Sequence, residues 1–153
     1  METAIYIKFL IKRESVKKLK IFTDSSRIDR DMVYNFVSTS YWGKGRSRAI
    51  VETALNNSLC FSGFIDNKQV AFARILTDKA VFGYVADVFV LPEYRGNGYA
   101  LEILDAMLSH PDIKNLQLTM LATRDAHGLY EKLGFRRCPG SDTAMEIFAN
   151  EDD

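Results

Sequence analysis

The sequence predicts one α/β domain built on a mixed, mostly antiparallel β-sheet. Three observations favour this fold class. A length of 153 residues fits one packed domain and is too short for two ordinary ones. Three consecutive segments rich in β-branched and aromatic residues indicate an antiparallel meander, and segments with helical periodicity lie before and after it. With 47% hydrophobic residues, such a chain can bury a core without disulfides or a structural metal.

Residues 1–18 are predicted as an N-terminal arm or an extra strand, ahead of a single domain over residues 19–150. Apolar side chains alternate with other residues from Ile5 to Ile11, which is typical of a half-buried strand. A basic cluster follows this stretch. The pattern fits a strand and a loose arm equally well.

Two helices joined by a short connection are predicted next. Asp29 suits the N-cap of the first helix, whose apolar residues keep helical spacing until residues 41–43 end it. The second helix starts near Ser47, and its apolar residues have the spacing of a helix that lies on a core.

The remaining elements alternate between strands and helices. Pro92 cannot donate a ladder hydrogen bond, so the third meander strand ends there and a helix begins near Asn97. Gly134 closes the last helix. The predicted order is βααβββαβαβ, with meander strands at 59–65, 69–76 and 81–91, later strands at 116–121 and 143–148, and a last helix at 123–133.

Charge and cysteine content exclude several classes of protein. Twenty basic and twenty acidic residues leave no net charge to attract nucleic acid or anionic lipid. The apolar N-terminal stretch is interrupted by Lys8 and lacks the features of a secretion signal, and no segment approaches a membrane-spanning length. Cys60 and Cys138, with only two histidines in the chain, indicate neither a disulfide framework nor a metal site. We therefore expect a cytoplasmic protein with Cys60 in its core.

A glycine-rich turn between the third meander strand and the next helix carries the clearest chemical signal. Residues 92–100 read PEYRGNGYA. Small residues at Gly96, Gly98 and Ala100 let a ligand approach the backbone, the helix start supplies unpaired N–H donors, and Arg95 adds a guanidinium. A pyrophosphate needs these groups. On this segment alone, a plain strand-to-helix turn with a solvated Arg95 stays open.

Two familiar phosphate-binding motifs do not fit this turn. A Walker loop requires Gly-Lys-Ser/Thr, whereas Gly98 is followed by Tyr99 and Ala100. A dinucleotide fingerprint requires a third glycine and a parallel βαβ unit, and the preceding meander is antiparallel. Nucleotide binding by the glycine turn is therefore a minor alternative.

Two segments together resemble the GNAT N-acetyltransferase superfamily. Residues 88–100, VFVLPEYRGNGYA, match that family's Arg/Gln-x-x-Gly-x-Gly/Ala loop through Arg95, Gly98 and Ala100. Residues 129–135, LYEKLGF, match its C-terminal helix ending in Gly-Phe. The resemblance extends in element order from about residue 19 to residue 148. It implies a GNAT-like acyl-CoA N-acyltransferase fold, with helices on both sides of the sheet.

The resemblance also implies the cofactor and its contacts. In this family acetyl-CoA lies with its pantetheine arm between two strands that splay apart, which here are 81–91 and 116–121. His127 contacts the cofactor or acts as a base in one interpretation and is a capping or surface residue in the other. The implied cofactor-binding residues are Phe89, Val90, Arg95, Gly96, Asn97, Gly98, Tyr99, Ala100, Thr123 and His127.

Two residues are the catalytic candidates for the direct transfer in a ternary complex that the resemblance implies. Tyr130 matches the family tyrosine that protonates the departing thiolate, although its helical spacing also fits a core tyrosine. Asp87 is the only acid inside the apolar stretch 85–91 and is the candidate base, directly or through a water. The alternative for Asp87 is an edge carboxylate paired with a nearby lysine or arginine.

The acceptor pocket is assigned by resemblance to the connection between the first two helices. There Tyr41 and Trp42 are the candidate substrate-binding residues, and the two cations of residues 41–47 would repel a polycationic acceptor. This favours a small-molecule amine, including one that carries a carboxylate. In the alternative, Trp42 only packs the first helix onto the core. A homodimer is a further expectation, while a non-catalytic acyl-CoA-binding module and a peptide or protein acetyltransferase are the rival functions.

Overall fold

A seven-stranded sheet forms the centre of the protein in the computed structural model, which describes residues 16–149. The spatial order is β1-β2-β3-β4-β5-β7-β6. All neighbouring strands are antiparallel except β4 and β5, which are parallel. The strands are β1 (Lys20–Phe22), β2 (Leu59–Ile65), β3 (Lys68–Thr77), β4 (Phe82–Val90), β5 (Leu118–Ala122), β6 (Arg136–Arg137) and β7 (Ala144–Phe148).

Helices cover both faces of this sheet, as the fold prediction requires. The side chain of Asp29 accepts a hydrogen bond from the Met32 amide at the start of the first helix, which confirms the predicted cap. Ser47 caps the second helix through the Ile50 amide. The helices are α1 (Arg30–Thr39), α2 (Arg48–Asn56), α3 (Tyr99–Leu108) and α4 (His127–Glu131), with short 3₁₀ turns at Ser25–Arg27 and Pro92–Tyr94.

The strand β3 shows how the two faces are separated. Phe72 packs with α1 and α2, whereas its neighbours Ala71 and Ala73 belong to the cluster that includes α3. Successive residues of a strand point to opposite faces, so the two clusters lie on opposite sides of the sheet. The α3 side holds fully buried Ile103 and Met107, and the other side holds Val33, Val37, Val51 and Leu55 from α1 and α2.

Some element boundaries differ from the prediction. The predicted N-terminal strand or arm lies almost entirely outside the described residues, while the short strands β1 and β6 were not predicted. The helix α3 begins at Tyr99 rather than near Asn97, because Gly98 has a φ of 82° that a helix cannot continue. The helix α4 is shorter than 123–133, because the Thr123 hydroxyl accepts from the Ala126 amide and forms a turn before it.

The parallel pair β4–β5 separates soon after it forms. Residues 82–84 of β4 pair with residues 118–120 of β5, and β4 then continues to Val90 without β5 beside it. On its other edge, β4 has a β-bulge, because Ala86 and Phe89 pair with Arg74 and Phe72. Asp87 lies in this bulge with a φ of 51°. The two strands therefore diverge and leave an opening in the sheet.

Gly43, in the connection between α1 and α2, is expected to be required for the close packing of that connection on α1. A Cβ at Gly43 would lie 2.4 Å from the Val37 carbonyl oxygen, so we expect Gly43→Ala to lower the free energy of unfolding by about 2 kcal/mol. A Cβ at Gly128 within α4 would meet no atom within 4 Å, so Gly128→Ala should raise it by about 0.5 kcal/mol. Urea unfolding of both variants tests this, and equal effects would contradict the packing argument.

Candidate active site

The opening between β4 and β5 is part of a cleft with a volume of about 1330 Å³. Its walls come from the second half of β4, the turn before α3, the end of β5, α4 and the α1–α2 connection. Elements that are far apart in sequence therefore meet around one space. It is large enough for a sizeable ligand, since small-molecule pockets commonly measure roughly 300–1,000 Å³.

The glycine turn gives this cleft an anion-binding end. The N-cap of the ten-residue helix α3 is Gly98, which has no side chain to accept hydrogen bonds from the first-turn N–H groups. A Cβ at Gly98 would meet no protein atom within 4 Å, so the backbone here faces open space. Arg95 is held beside the turn because its Nε donates to the Val90 carbonyl at 3.1 Å. Free N–H groups, the positive end of a helix dipole and a fixed guanidinium suit a phosphate group.

Eight of the ten residues predicted to bind the cofactor line the cleft, and two do not. Asn97 instead closes the turn by donating from Nδ2 to the Tyr94 carbonyl at 3.0 Å. The His127 ring lies against the Asp142 carbonyl, with Nε2 2.8 Å from its oxygen. The eight that line it are Phe89, Val90, Arg95, Gly96, Gly98, Tyr99, Ala100 and Thr123.

Two of these lining residues have side-chain hydroxyls that are already hydrogen-bonded within the protein. The Tyr99 hydroxyl donates to the Lys17 carbonyl at 2.7 Å and its ring is buried, which leaves its backbone as the group at the helix start. The Thr123 hydroxyl caps the turn before α4 and the Thr123 amide donates to Thr143. Their predicted contacts with the cofactor stay predictions.

Tyr130 lies on α4 in the wall of the cleft. Its ring packs edge-to-face on Phe135 with centroids 5.9 Å apart, so it is a core tyrosine as well as a lining residue. Burial, followed by a smaller effect of Tyr41, raises the pKa of Tyr130 to about 12. The phenol is therefore still harder to ionise than an ordinary tyrosine, which already keeps its proton at neutral pH.

Asp87 is at the centre of a buried polar network. Its carboxylate accepts from Arg74 Nε at 2.6 Å, from Arg46 Nη1 at 2.9 and 3.2 Å, and from Trp42 Nε1 at 2.9 Å. The structure thus shows the ion pairing that was the alternative to a base, since both oxygens already accept from strong donors. The predicted role of Asp87 as a base stays untested.

Two aromatic residues of the α1–α2 connection are predicted to bind the acceptor. Tyr41 and Trp42 both line the cleft, with their rings at nearly right angles and centroids 5.1 Å apart. The guanidinium carbon of Arg124 lies 3.8 Å from the Tyr41 ring centroid. Arg124 follows β5, so this contact joins the loop before α4 to the α1–α2 connection.

Sequence reasoning missed Arg74 and Arg124. Arg74 is the only charged residue between Gln69 and Leu76 of β3, a stretch that is otherwise almost entirely buried and apolar, and this was a usable signal for a buried ion pair. Arg124 had no such signal, because a charged residue after a strand is ordinary. Of the two cations predicted in the α1–α2 connection, Arg46 lines the cleft and Lys44 does not.

The cysteines are not part of the cleft. Cys60 lies in the core as predicted, and burial raises the pKa of its thiol to about 11. Both cysteines are free thiols. Within residues 16–149 no group of three or more His, Cys, Asp or Glu side chains could hold a metal, and no helix there is long and apolar enough to span a membrane.

The fold and the site together define an acyl-CoA-dependent transferase class, and comparison with known proteins identifies the family. Residues 56–137 match the family model for the acetyltransferase (GNAT) domain. The chain belongs to the GNAT family of acetyltransferases, whose members transfer an acyl group from acetyl-CoA.

Individual relatives agree with this assignment. A crystal structure from Xanthomonas campestris pv. campestris assigned to the GNAT family is 44% identical, with a TM-score of 0.79 over 82% of this chain and 89% of that one. A Gibberella zeae protein named as an acetyltransferase is 26% identical over 76% of this chain and 78% of its own length. N-acetylglutamate synthase from Neisseria gonorrhoeae, crystallised with coenzyme A and N-acetyl-glutamate, shares the fold at 13% identity, with a TM-score of 0.70 over 88% of this chain and 36% of that one.

Removing the Asp87 charge is expected to destabilise the protein strongly. Asp87→Asn leaves buried Arg74 and half-buried Arg46 without their counter-ion, so the free energy of unfolding should fall by about 3 kcal/mol. Asp66→Asn is the matched control, because Asp66 pairs with Lys17 in solvent and its loss should change stability by less than about 0.5 kcal/mol. Urea unfolding measures both, and a small effect at Asp87 would show that the network contributes little.

Proposed function

We propose that this protein transfers the acetyl group of acetyl-CoA directly to the amine of a small molecule, with both substrates bound in one ternary complex. The observation that carries the proposal is that one cleft connects the glycine turn at Gly98, the phenol of Tyr130 and the aromatic pair Tyr41–Trp42. A donor bound at the turn and an acceptor bound at the aromatic pair would therefore share a space lined by a hydrogen-bond donor. Acyl transfer between them needs no acyl-enzyme.

The residues around the glycine turn fit coenzyme A. The pyrophosphate would accept hydrogen bonds from N–H groups at the start of α3 and pair with Arg95, as the open space next to Gly98 allows. Charge-assisted hydrogen bonds contribute about 1.5–3 kcal/mol each, so a few of them suffice for anchoring. Beyond Tyr84, β4 is paired with β3 on one edge only, and its edge on the β5 side offers backbone groups to the rest of the donor. Acetyl-CoA itself supplies the activated acyl group.

Tyr130 is proposed to stabilise the leaving sulfur. A thiol has an ordinary pKa of about 8.5, so complete proton transfer from a phenol of pKa about 12 would cost about 5 kcal/mol. In this proposal Tyr130 therefore acts chiefly as a hydrogen-bond donor to the sulfur while negative charge develops on it, which is a narrower role than the predicted general acid.

Asp87 is proposed to position the α1–α2 connection, which carries the predicted acceptor-binding residues. Its hydrogen bonds to Trp42 and Arg46 tie the α1–α2 connection to β4 and to Arg74 on β3. A carboxylate with both oxygens occupied is poorly placed to take a proton from an amine. A homodimer and a cytoplasmic location are further parts of the proposal.

The proposed function is tested by a screen of amines with a readout for free thiol. Acetyl-CoA is incubated with the protein and a panel of small amines, amino acids and N-terminal peptides. Thiol release that depends on a small amine supports the proposal. Release only with peptides identifies a peptide acetyltransferase, and tight coenzyme A binding without acceptor-dependent release identifies a non-catalytic binding module.

Gly98 is expected to be required for coenzyme A binding. Gly98→Ala places a methyl group in the open space at the helix start and strains a residue with a φ of 82°, so affinity for coenzyme A should fall at least tenfold. Gly140→Ala is the matched control, because Gly140 has a φ of 76°, an equally open surrounding and a position outside the cleft. Both variants should lose about 1–2 kcal/mol of stability. Calorimetric titration with coenzyme A that finds equal affinities for the two variants would refute this site.

Loss of the Tyr130 hydroxyl is expected to slow the acetyl transfer. Tyr130→Phe keeps the packing on Phe135 but removes the donor, so kcat should fall by roughly 10²-fold while the affinity for coenzyme A stays within a few fold. Tyr34→Phe, on α1 and outside the cleft, should leave kcat unchanged. Steady-state kinetics with an acceptor from the amine screen measures both, and a Tyr130→Phe enzyme with near wild-type kcat would exclude the catalytic role.

A further inference from the structure

The cleft carries an excess of positive charge in a protein with no net charge. Four arginines and two aspartates are its charged lining residues: Arg46, Arg74, Arg95, Arg124, Asp87 and Asp125. Arg95 belongs to the glycine turn, where the proposed function puts the pyrophosphate. The other three arginines lie around the aromatic pair and the Asp87 network, at the acceptor end. Three arginines against Asp87 and Asp125 leave one net positive charge at this end of the cleft, so it attracts an anion and repels a polycation.

Arg46 has hydrogen-bonding capacity left after its contacts within the protein. Its Nη1 bonds both oxygens of Asp87 and its Nη2 lies 3.4 Å from the Trp42 carbonyl. A guanidinium has five N–H donors, so two of them have no partner within residues 16–149. The side chain is 30% exposed. Because Asp87 also pairs with Arg74, one carboxylate faces two guanidiniums and one positive charge stays unbalanced.

Arg124 offers a second cation at the same end. Its guanidinium lies over the Tyr41 ring at 3.8 Å, and it has no ion pair with a carboxylate of the described chain. A guanidinium stacked on a ring keeps its N–H groups at its edge, where they can bind a planar oxyanion. Arg46 contacts the backbone carbonyl of Trp42 and Arg124 contacts the Tyr41 ring, so both cations lie next to the aromatic pair.

We infer that the acceptor is an amine that also carries a carboxylate, and that Arg46 and Arg124 bind this carboxylate beside the Tyr41–Trp42 pair. The inference rests on the proposed function and narrows its substrate class. The planar fork of a guanidinium matches a carboxylate, and a single negative charge matches the charge that Asp87 leaves unbalanced. The two rings would cover the carbon skeleton that connects the carboxylate to the amine.

Binding of reaction products tests this inference without relying on turnover. N-acetyl amino acids with apolar, aromatic and acidic side chains are titrated calorimetrically into the protein saturated with coenzyme A, each beside its C-terminal carboxamide. We expect at least one acid to bind ten times more tightly than its carboxamide. Arg124→Gln should reduce that preference to less than threefold. Arg27→Gln is the matched control and should keep it, because Arg27 also stacks on a ring, that of Phe22, but lies outside the cleft.

Each outcome separates this inference from the proposed function. Equal affinities for every acid and carboxamide, no binding by any of them, or a preference that persists in Arg124→Gln would overturn the carboxylate site. Thiol release that is as fast with neutral amines as with amino acids would also overturn it and would leave the proposed function supported. Tight binding of an acid, lost in Arg124→Gln and without thiol release for any amine, would support the site and refute acetyl transfer.

Discussion

The site depends on how short the parallel pairing between β4 and β5 is. The two strands pair only over residues 82–84 and 118–120. Farther along β4, the bulge at Asp87 shifts the register of its pairing with β3. A sheet with continuous pairing here would have no space between these strands. Because the strands diverge, the glycine turn at the end of β4 and the helix α4 after β5 face the same cleft. The cleft is therefore formed by the divergence of two strands within the sheet and not by a surface loop alone.

Electrostatics then shape the acceptor end of this cleft. A buried carboxylate is tolerated only when its charge is compensated, and Asp87 is compensated by Arg74 from the neighbouring strand and Arg46 from the α1–α2 connection. The same contacts bring Trp42 to the cleft wall. One network thus holds the α1–α2 connection in place and leaves positive charge next to it. Under the proposed function, the same network would contribute both to stability and to the selection of the acceptor.

The chemical demands at the two ends of the cleft differ. At the glycine turn, backbone N–H groups would bind the proposed donor without any particular side chain, so the sequence there needs small residues such as Gly98. At the proposed acceptor end, the cleft is lined by side chains from distant segments, among them Tyr41, Arg46 and Arg124. Tyr130 lies in the wall of the same cleft, and burial raises the pKa of its phenol to about 12.

The sequence by itself determined the helices and the strands of the meander, the cap at Asp29, the start of the second helix near Ser47, and the glycine turn before α3. These features depend on local periodicity and on residues within one turn of each other, which a linear pattern records. It did not predict β1 and β6, because strands of three and two residues show no periodicity. The sequence also did not predict that α4 is shorter than 123–133, because the Thr123 turn looks like a helix start in sequence.

Only the tertiary structure decided which residues pair with Asp87 and which cations lie around the proposed acceptor end. Asp87 was singled out because it is an acid in an apolar strand, but its partners Arg46 and Arg74 lie 41 and 13 residues away, and no local rule pairs them. In the same way, Arg124 meets Tyr41 only because β5 and the α1–α2 connection end at the same cleft. Charge pairing depends on distance in space, and that distance is set by how strands from distant parts of the chain are arranged in the sheet.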